Sequence, residues 1–274
     1  MPPRSHAVEV IRVADGLAAP AARDLVAPEE PLEIRVAGET LALTMRTPGD
    51  DRELALGFLF AEGFISSIDD VSGVAHCGRA DDPAYGNTLE ITAAPGVYID
   101  VDARSPARRG TLTTAACGVC GRRTLDDLLA ARAPVPVGAT VTAKTLSACV
   151  RALRQHQRLF DETGGCHGAG LFTFEGAHVV TYEDVGRHNA VDKVVGSRLR
   201  ARGLPLASHV LVVSGRAGFE IIQKAHAAGI PVVASVSAPS SLAVDLAVRA
   251  HVTLAGFARG DNFTLYAGAE RVQG

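Results

Sequence analysis

Cysteine is scarce. The 274 residues hold five: Cys77, Cys117, Cys120, Cys149 and Cys166. So sparse and odd a set, in a chain this long, is no disulfide framework and fits a reducing compartment. A basic excess is missing too. With 27 Lys and Arg against 30 Asp and Glu, the net charge is −3. No global basic field therefore draws in nucleic acid or an anionic membrane. No uninterrupted apolar run reaches the ~18 residues of a membrane-span candidate. The opening stretch, Met1 to His6, lacks the apolar core of a signal peptide. Arg108-Arg109 and Arg122-Arg123 are internal pairs and not export signals. These absences lead to the expectation of a soluble cytoplasmic protein that neither binds nucleic acid nor spans a membrane. Solenoid repeats and the Walker and Rossmann signatures are also absent.

What is present is globular: 47% hydrophobic and 21% charged residues, enough for one or two domains. The chain is organised around Ala115-Ala116-Cys117-Gly118-Val119-Cys120-Gly121-Arg122-Arg123. Two thiols stand three positions apart, each followed by glycine, which leaves the sulfurs uncovered. The two arginines favour the thiolate, the form that attacks and that binds metal. A helix beginning near Gly121, with Leu125, Leu128 and Leu129 on one face, would add its positive end. Redox chemistry, metal binding and sulfur carriage all remain open for such a loop.

The chain in order gives an α/β pattern, α+β overall. Val8, Val10 and Val13 suit a short strand. Leu32, Ile34 and Val36, then Leu41, Leu43 and Met45, alternate about a turn at Gly38-Glu39, a hairpin signal. Asp50, Asp51 and Glu53 open a helix whose run from Leu54 to Phe60 is apolar all round, hence buried, and Gly63 ends it. Leu89 and Ile91 predict one strand, and Val97, Ile99 and Val101 another. Residues 102–116 read as an exposed, mobile arm. Prolines at 134 and 136 suggest a boundary. Beyond it, Leu146, Cys149, Val150, Leu153 and Phe160 repeat at helical spacing, so Cys149 is expected in the core. Strands are expected near 169–174 and 178–182. A helix follows within Tyr182 to Lys193. From His209 the pattern is strand, loop, helix, repeated, which implies parallel pairing.

Ligands of such sheets sit beyond the carboxyl ends of the strands. Three segments fall there: Ser214-Gly215-Arg216, Ser237 to Ser241, and Phe257-Ala258-Arg259-Gly260-Asp261-Asn262. The first two open helices, so their N–H groups and hydroxyls suit a phosphate. Arg216 and Arg259 add charge. Asp261 or Asn262 could read a base edge, since guanine's N–H groups suit a carboxylate. Plain capping explains any one of these segments, but three at adjacent strand ends point to a nucleotide or dinucleotide site. Glu183, Asp184, Arg187, His188, Asp192 and Lys193 crowd five ionisable types together; ion pairs at a helix start explain much of that. His167 beside Cys166 is either a polar contact or a structural histidine. Zinc is a rival for the cysteines, because Cys-x-x-Cys is half a zinc site and Cys166-His167 could complete it. The zinc nucleoside deaminases pair that motif with an upstream His-x-Glu, which this chain lacks. A thioredoxin-like protein would place the motif in a small βαβ context, and here it follows an arm.

CGVCGRRTL, TGGCHGAGLF, YEDVGRHNAVDKVVG, VSGRAGFEIIQKAHAAGIPVVASVSAPSSLAVDLA and GFARGDNFTLY occur in this order, after EPLEIRVAGE and TPGDDRELALGFLFAEGFI. Together they resemble the FdhD family of formate dehydrogenase accessory sulfurtransferases, from about residue 28 to 268. The resemblance implies an N-terminal extension over 1–27 and a smaller β-containing domain over 28–136 that ends in the cysteine loop. It also implies a cytidine deaminase-like α/β domain over 137–274, and a homodimer. The implied activity takes sulfur from a cysteine desulfurase as a persulfide. That sulfur passes to the molybdenum (or tungsten) of the bis(molybdopterin guanine dinucleotide) cofactor before formate dehydrogenase receives it. By the motif match Cys117 carries the persulfide and Cys120 is its partner in the loop. Residues 257–262 hold the cofactor, and Ser214, Gly215, Arg216 and His188 are further candidates. A GDP- or GMP-like moiety is the implied ligand there, with no resident metal. Cys166 stands where relatives are expected to have a small or apolar residue. A zinc-binding deaminase-like protein and a non-catalytic cofactor chaperone are the alternatives.

Overall fold

The computed structural model describes residues 5–78, 85–101 and 132–274. The first part of the chain is all strand. β1 (His6–Val10) pairs antiparallel with β4 (Ala22–Val26), and β2 (Val13–Ala14) pairs with β3 (Leu17–Ala18). The valine-rich β1 was expected; β4 was not, because Ala22-Arg23-Asp24 hides its alternation. β5 (Glu30–Val36) and β6 (Glu39–Arg46) form the anticipated hairpin, with its turn one residue earlier than expected, at Ala37-Gly38, both at positive φ. One detail differs. A β-bulge interrupts the register between Ile34 and Arg35, opposite Leu41. An extra residue in a strand switches the faces beyond it. Leu41 thus stays buried, but Thr44 and Arg46 turn inward while Met45 is left exposed.

The helix α1 (Asp51–Glu62) ends at Gly63, whose φ of 74° supplies the left-handed cap that glycine tolerates. β7 (Val71–His76) and β8 (Thr88–Ala93) complete a four-stranded sheet in the order β6-β5-β8-β7. β7 escaped the sequence reading because its residues are mostly half-buried and show no clean alternation. The strand expected at 97–101 is absent: the segment is irregular, and only Ile99 is sunk in the core.

The remainder builds on a six-stranded sheet. After β9 (Val141–Thr142), α2 (Ala143–Gln155) and the short α3 (Arg158–Thr163) come β10 (His167–Thr173), β11 (His178–Asp184) and α4 (Arg187–Arg200). Then follow β12 (His209–Val213), α5 (Phe219–Ala227), β13 (Val232–Ser235), α6 (Ser241–Arg249), β14 (Thr253–Arg259), β15 (Asn262–Ala267) and β16 (Val272–Gln273). The order is β11-β10-β12-β13-β14-β15, with β12, β13 and β14 parallel and the flanking pairs antiparallel. Phe160 lies beyond the end of α2, so the helical stripe stops at Leu153.

Each face of this sheet is covered. On one, α2 packs Leu146, Cys149 and Leu153 against Phe172, Val212 and Ala255, which places Cys149 in the core as expected. On the other, one apolar cluster joins Leu32, Leu54, Leu59 and Ile91 to Leu171, Val191, Val195, Ile221 and Leu246. The core is thus continuous across the prolines at 134 and 136. Its tightest seam is α1 on α4. A Cβ added to Gly57 would run into the backbone of Asp192, and one added to Gly196 into that of Glu53. Glycine lets these two helices touch main chain to main chain.

The charged motif at the start of α4 is built into this seam. Asp184 is fully buried and pairs with Lys193 Nζ at 2.8 Å. It also accepts from the Gly186 N–H at 2.8 Å and from Asn189 Nδ2 at 2.9 Å. Asn189 donates onward to Met45 O, and Lys193 to Thr47 O, tying α4 to the end of β6. A second buried pair, Asp192 with Lys224 at 2.7 Å, ties α4 to α5. Buried ions stand only when paired and hydrogen-bonded.

Candidate functional site

The carboxyl ends of β12, β13 and β14 are stitched together. Ser235 Oγ lies 2.7 Å from Gly215 O and 3.0 Å from Ser237 O, and it accepts from the Ser237 N–H. Phe257 N–H donates to Ser237 O at 3.0 Å, and Ser240 N–H to Ala217 O at 3.1 Å. These bonds fix the segments singled out by the sequence and also occupy several of their N–H groups. Ser240 caps α6 by accepting from the Ala243 N–H, the plain role allowed for it. Ser214 exchanges bonds with Gly168 through both its N–H and its hydroxyl. The segment Ser214 to Arg216 does not open α5 directly, because the helix begins only at Phe219 with Gly218 as its cap.

The last segment is not a loop. β14 runs through Arg259, and the turn is just Gly260-Asp261, with Arg259 opposite Asn262. A two-residue hairpin turn needs positive φ at its first position in one common form, and Gly260 has φ 59°. Alternation in β15 was readable as Phe263, Leu265 and Ala267, but the preceding Gly-Asp-Asn concealed that it pairs at once with β14. Phe257 also has positive φ, 51°, and is half exposed. An aromatic residue in that conformation is an outlier that marks functional sites.

Above these ends lies a cleft of about 670 Å³ between α2, α3 and the sheet. Ser214, Ala258, Arg259 and Gly260 line it, together with Cys166 and His167 from the glycine loop. Gly215 lies behind His167: a Cβ there would come within 3.0 Å of His167 Nδ1. Asp261, Asn262, Phe257 and Arg216 stand exposed around the site. His188 is not on the cleft wall. It is buried, with Nε2 2.5 Å from a Glu220 carboxylate oxygen.

Two wall residues were missed from the sequence: Arg151 and Arg154. They lie on α2, whose pattern announces only its apolar face. Arg151 Nη1 donates to Gly260 O at 3.2 Å and to the Asp261 carboxylate. Arg154 pairs with Asp161 and stacks on the Phe160 ring at 4.9 Å. With Arg259, three guanidinium groups join an apolar part of the lining formed by Val150, Leu153, Phe160, Val236 and Ala258. Such a lining suits an anion with a flat apolar part.

The inner wall holds uncharged protons. Burial lowers the pKa of His167, and the nearby cations Arg187, His188 and Arg216 lower it further, while Asp184 opposes them. Burial, then the charge of Glu183, pushes the Cys166 thiol well above the ordinary range. Cys166 Sγ donates to Glu183 Oε1 at 3.3 Å, and Glu183 also accepts from the N–H groups of Leu159 and Phe160 at the start of α3. A thiol held protonated is a poor metal ligand. Among the described residues no group of three or more His, Cys, Asp or Glu could hold a metal ion. Cys117, Cys120, Arg122, Arg123 and the expected arm at 102–116 lie outside the described residues. Among the described residues no helix is long and apolar enough to cross a membrane.

Residues 27–273 match the model of the FdhD/NarQ family. A sulfur carrier protein FdhD of Anaeromyxobacter dehalogenans is 54% identical over 258 residues, covering 92% of this chain and 90% of its own length. Another, of Streptomyces coelicolor, is 50% identical over 272 residues, covering 96% and 94%. Among solved structures, a protein from Desulfotalea psychrophila described as a formate dehydrogenase accessory protein is similar with TM-score 0.76 and 26% identity. That match covers 99% of this chain and 100% of the other.

Proposed function

This chain belongs to the FdhD/NarQ family, and from that membership we propose that it is a sulfurtransferase serving formate dehydrogenase. The Cys117 thiolate attacks the outer sulfur of a cysteine desulfurase persulfide. A new S–S bond forms on Cys117, the donor's S–S bond breaks, and the donor cysteine leaves as a thiolate. The terminal sulfur would then pass to the molybdenum of a bis(molybdopterin guanine dinucleotide) cargo held in the cleft, before formate dehydrogenase receives it; the S–S bond on Cys117 breaks, Cys117 leaves as a thiolate, and the reduced metal of the cargo would supply the two electrons of the new bond. Arg122 and Arg123 stabilise the anionic sulfur, and Cys120 is the second thiol of the loop. Action in the cytoplasm and as a homodimer is part of the same reading.

The observation that carries it is the Cys-x-x-Cys loop, two thiols set among glycines and arginines, in a chain whose relatives are named sulfur carrier proteins. The cleft supports the cargo half. Its arginines suit phosphates, its apolar floor suits a ring system, and its hairpin turn presents a carboxylate and an amide.

The test is mass spectrometry of the intact chain and its peptides after incubation with a cysteine desulfurase and cysteine. One added sulfur on the Cys117 peptide, lost on reduction and absent in Cys117→Ala, is the expected result. No added sulfur would instead favour a chaperone that only binds the cofactor.

A further inference from the structure

The Asp261 carboxylate, one of the two side chains suited to read a guanine, stands exposed beside the cleft and is engaged by Arg151 of the cleft wall. The partner is chemically telling. A guanidinium presents planar N–H donors to a carboxylate, and the guanine edge, N1–H beside the 2-amino group, presents a similar donor array. Arg151 Nη1 also holds Gly260 O at 3.2 Å, so one side chain fastens α2 to the hairpin turn. Both ends of this clasp are well exposed, with side-chain exposures of 47% for Arg151 and 84% for Asp261. An exposed pair of this kind is weak and readily exchanged. Arg154 stands one helical turn further along α2, already paired with Asp161 and stacked on Phe160.

We propose that Arg151 determines how the cleft takes a guanine nucleotide, holding the Asp261 carboxylate until the base displaces it and then turning to the ligand's diphosphate. The inference rests on the cargo half of the function proposed above. Arg151 satisfies Asp261 and fastens the hairpin turn to α2. The incoming base exchanges one set of planar donors for another at Asp261. The freed guanidinium stays at the mouth of the same cleft, where phosphates would meet it beside Arg259. The exchange conserves charge pairing: carboxylate with arginine before, carboxylate with base edge and arginine with phosphate after.

This makes opposite predictions for ligands with and without phosphate, which calorimetry with guanosine and GDP can read. In Arg151→Ala the competitor for Asp261 is gone, so guanosine should bind roughly two- to five-fold tighter, the worth of an exposed ion pair. GDP gains the same relief but loses a charge-assisted contact worth about tenfold or more, so on balance it should bind roughly two-fold or more weaker. Arg151→Lys keeps a charge without the planar fork, so GDP should fall between the other two. Asp261→Asn should abolish the preference for GDP over ADP. If Arg151→Ala changes guanosine and GDP by the same factor, or weakens guanosine, Arg151 only braces the hairpin and the inference fails. If the unaltered chain binds GDP, yet Asp261→Asn keeps its base preference, the inference fails as well. If the unaltered chain binds no GDP at all, the reading of the cleft falls and takes the inference with it.

Discussion

Replacing Gly196 by alanine is the sharpest test of how α4 is held. The new Cβ would stand 2.7 Å from Gly57 N and 2.8 Å from the carbonyl carbon of Glu53, and closer still to that carbonyl's oxygen. Carbon contacts are comfortable at about 3.5–4.0 Å, so the helices must part by roughly an ångström or more. The obstacle is backbone, so no side chain can swing away. Overpacking a well-filled core costs about 1–3 kcal/mol, and an obstacle that cannot move belongs at the upper end. Alanine regains about 1 kcal/mol over glycine inside a helix. The net loss is therefore about 2 kcal/mol. In a chain of this size each kcal/mol moves the melting temperature by about 2–4 °C, so the drop should be about 4–8 °C. Calorimetry and urea unfolding followed by circular dichroism read it. A Gly196→Ala protein as stable as the parent, or more so, would mean that the α1–α4 seam has room, and the close crossing of these helices would be wrong.

Further tests probe the cleft wall. Glu183→Ala should cost about 2–3 kcal/mol in urea unfolding, because the two N–H groups at the start of α3 and the Cys166 thiol lose a charged acceptor together. Cys166 should resist iodoacetamide at pH 8 in the folded protein and react once urea is added, since burial raises its pKa and leaves little thiolate; peptide mapping reads this. His167 should titrate below the ordinary ~6.5 by NMR, and Arg187→Gln should move it upward, because a neighbouring cation penalises the imidazolium and removing it relieves that penalty.

Local pattern made the β5–β6 hairpin, the buried α1 and the strand–helix alternation after His209 legible. Each rests on a period or a terminus signal carried by neighbouring residues. What stayed hidden depends on partners distant in the chain. Met45 looked buried by alternation, and a bulge opposite Leu41 turned it out. Val97, Ile99 and Val101 alternate well but pair with no strand among the described residues. The candidate site divides in the same way. Ser214, Arg259 and Gly260 were found because strand ends can be read from sequence. Arg151 and Arg154 were not, because nothing on an amphipathic helix says which of its polar residues overlooks a cleft. The Glu183 to Lys193 motif looked half functional, yet Asp184, Asn189, Asp192 and Lys193 are consumed in tying α4 to β6 and α5.

The two steps of the proposed activity can be tested apart. Arg132 stacks on Phe60 at 4.5 Å and donates to Phe60 O at 2.9 Å and to Ala227 O, while His226 bonds to Ala133 O at 2.9 Å. Ala227 ends α5, just before β13, so Arg132 and Ala133 are anchored at the amino end of the parallel strands. The cleft stands at their carboxyl end. The proposed activity assigns different residues to its two steps, Cys117 to loading by a donor protein and Arg259 to the cargo, so the two should fail independently. Cys117→Ala should take up no sulfur from a cysteine desulfurase while its calorimetric affinity for GDP is unchanged. Arg259→Ala should take up sulfur at the parent rate by mass spectrometry while GDP binding weakens about tenfold, the worth of one charge-assisted bond. If Arg259→Ala slowed the loading of Cys117 as much as it weakened GDP, donor and cargo would share one surface, and the independence of the two steps would be refuted.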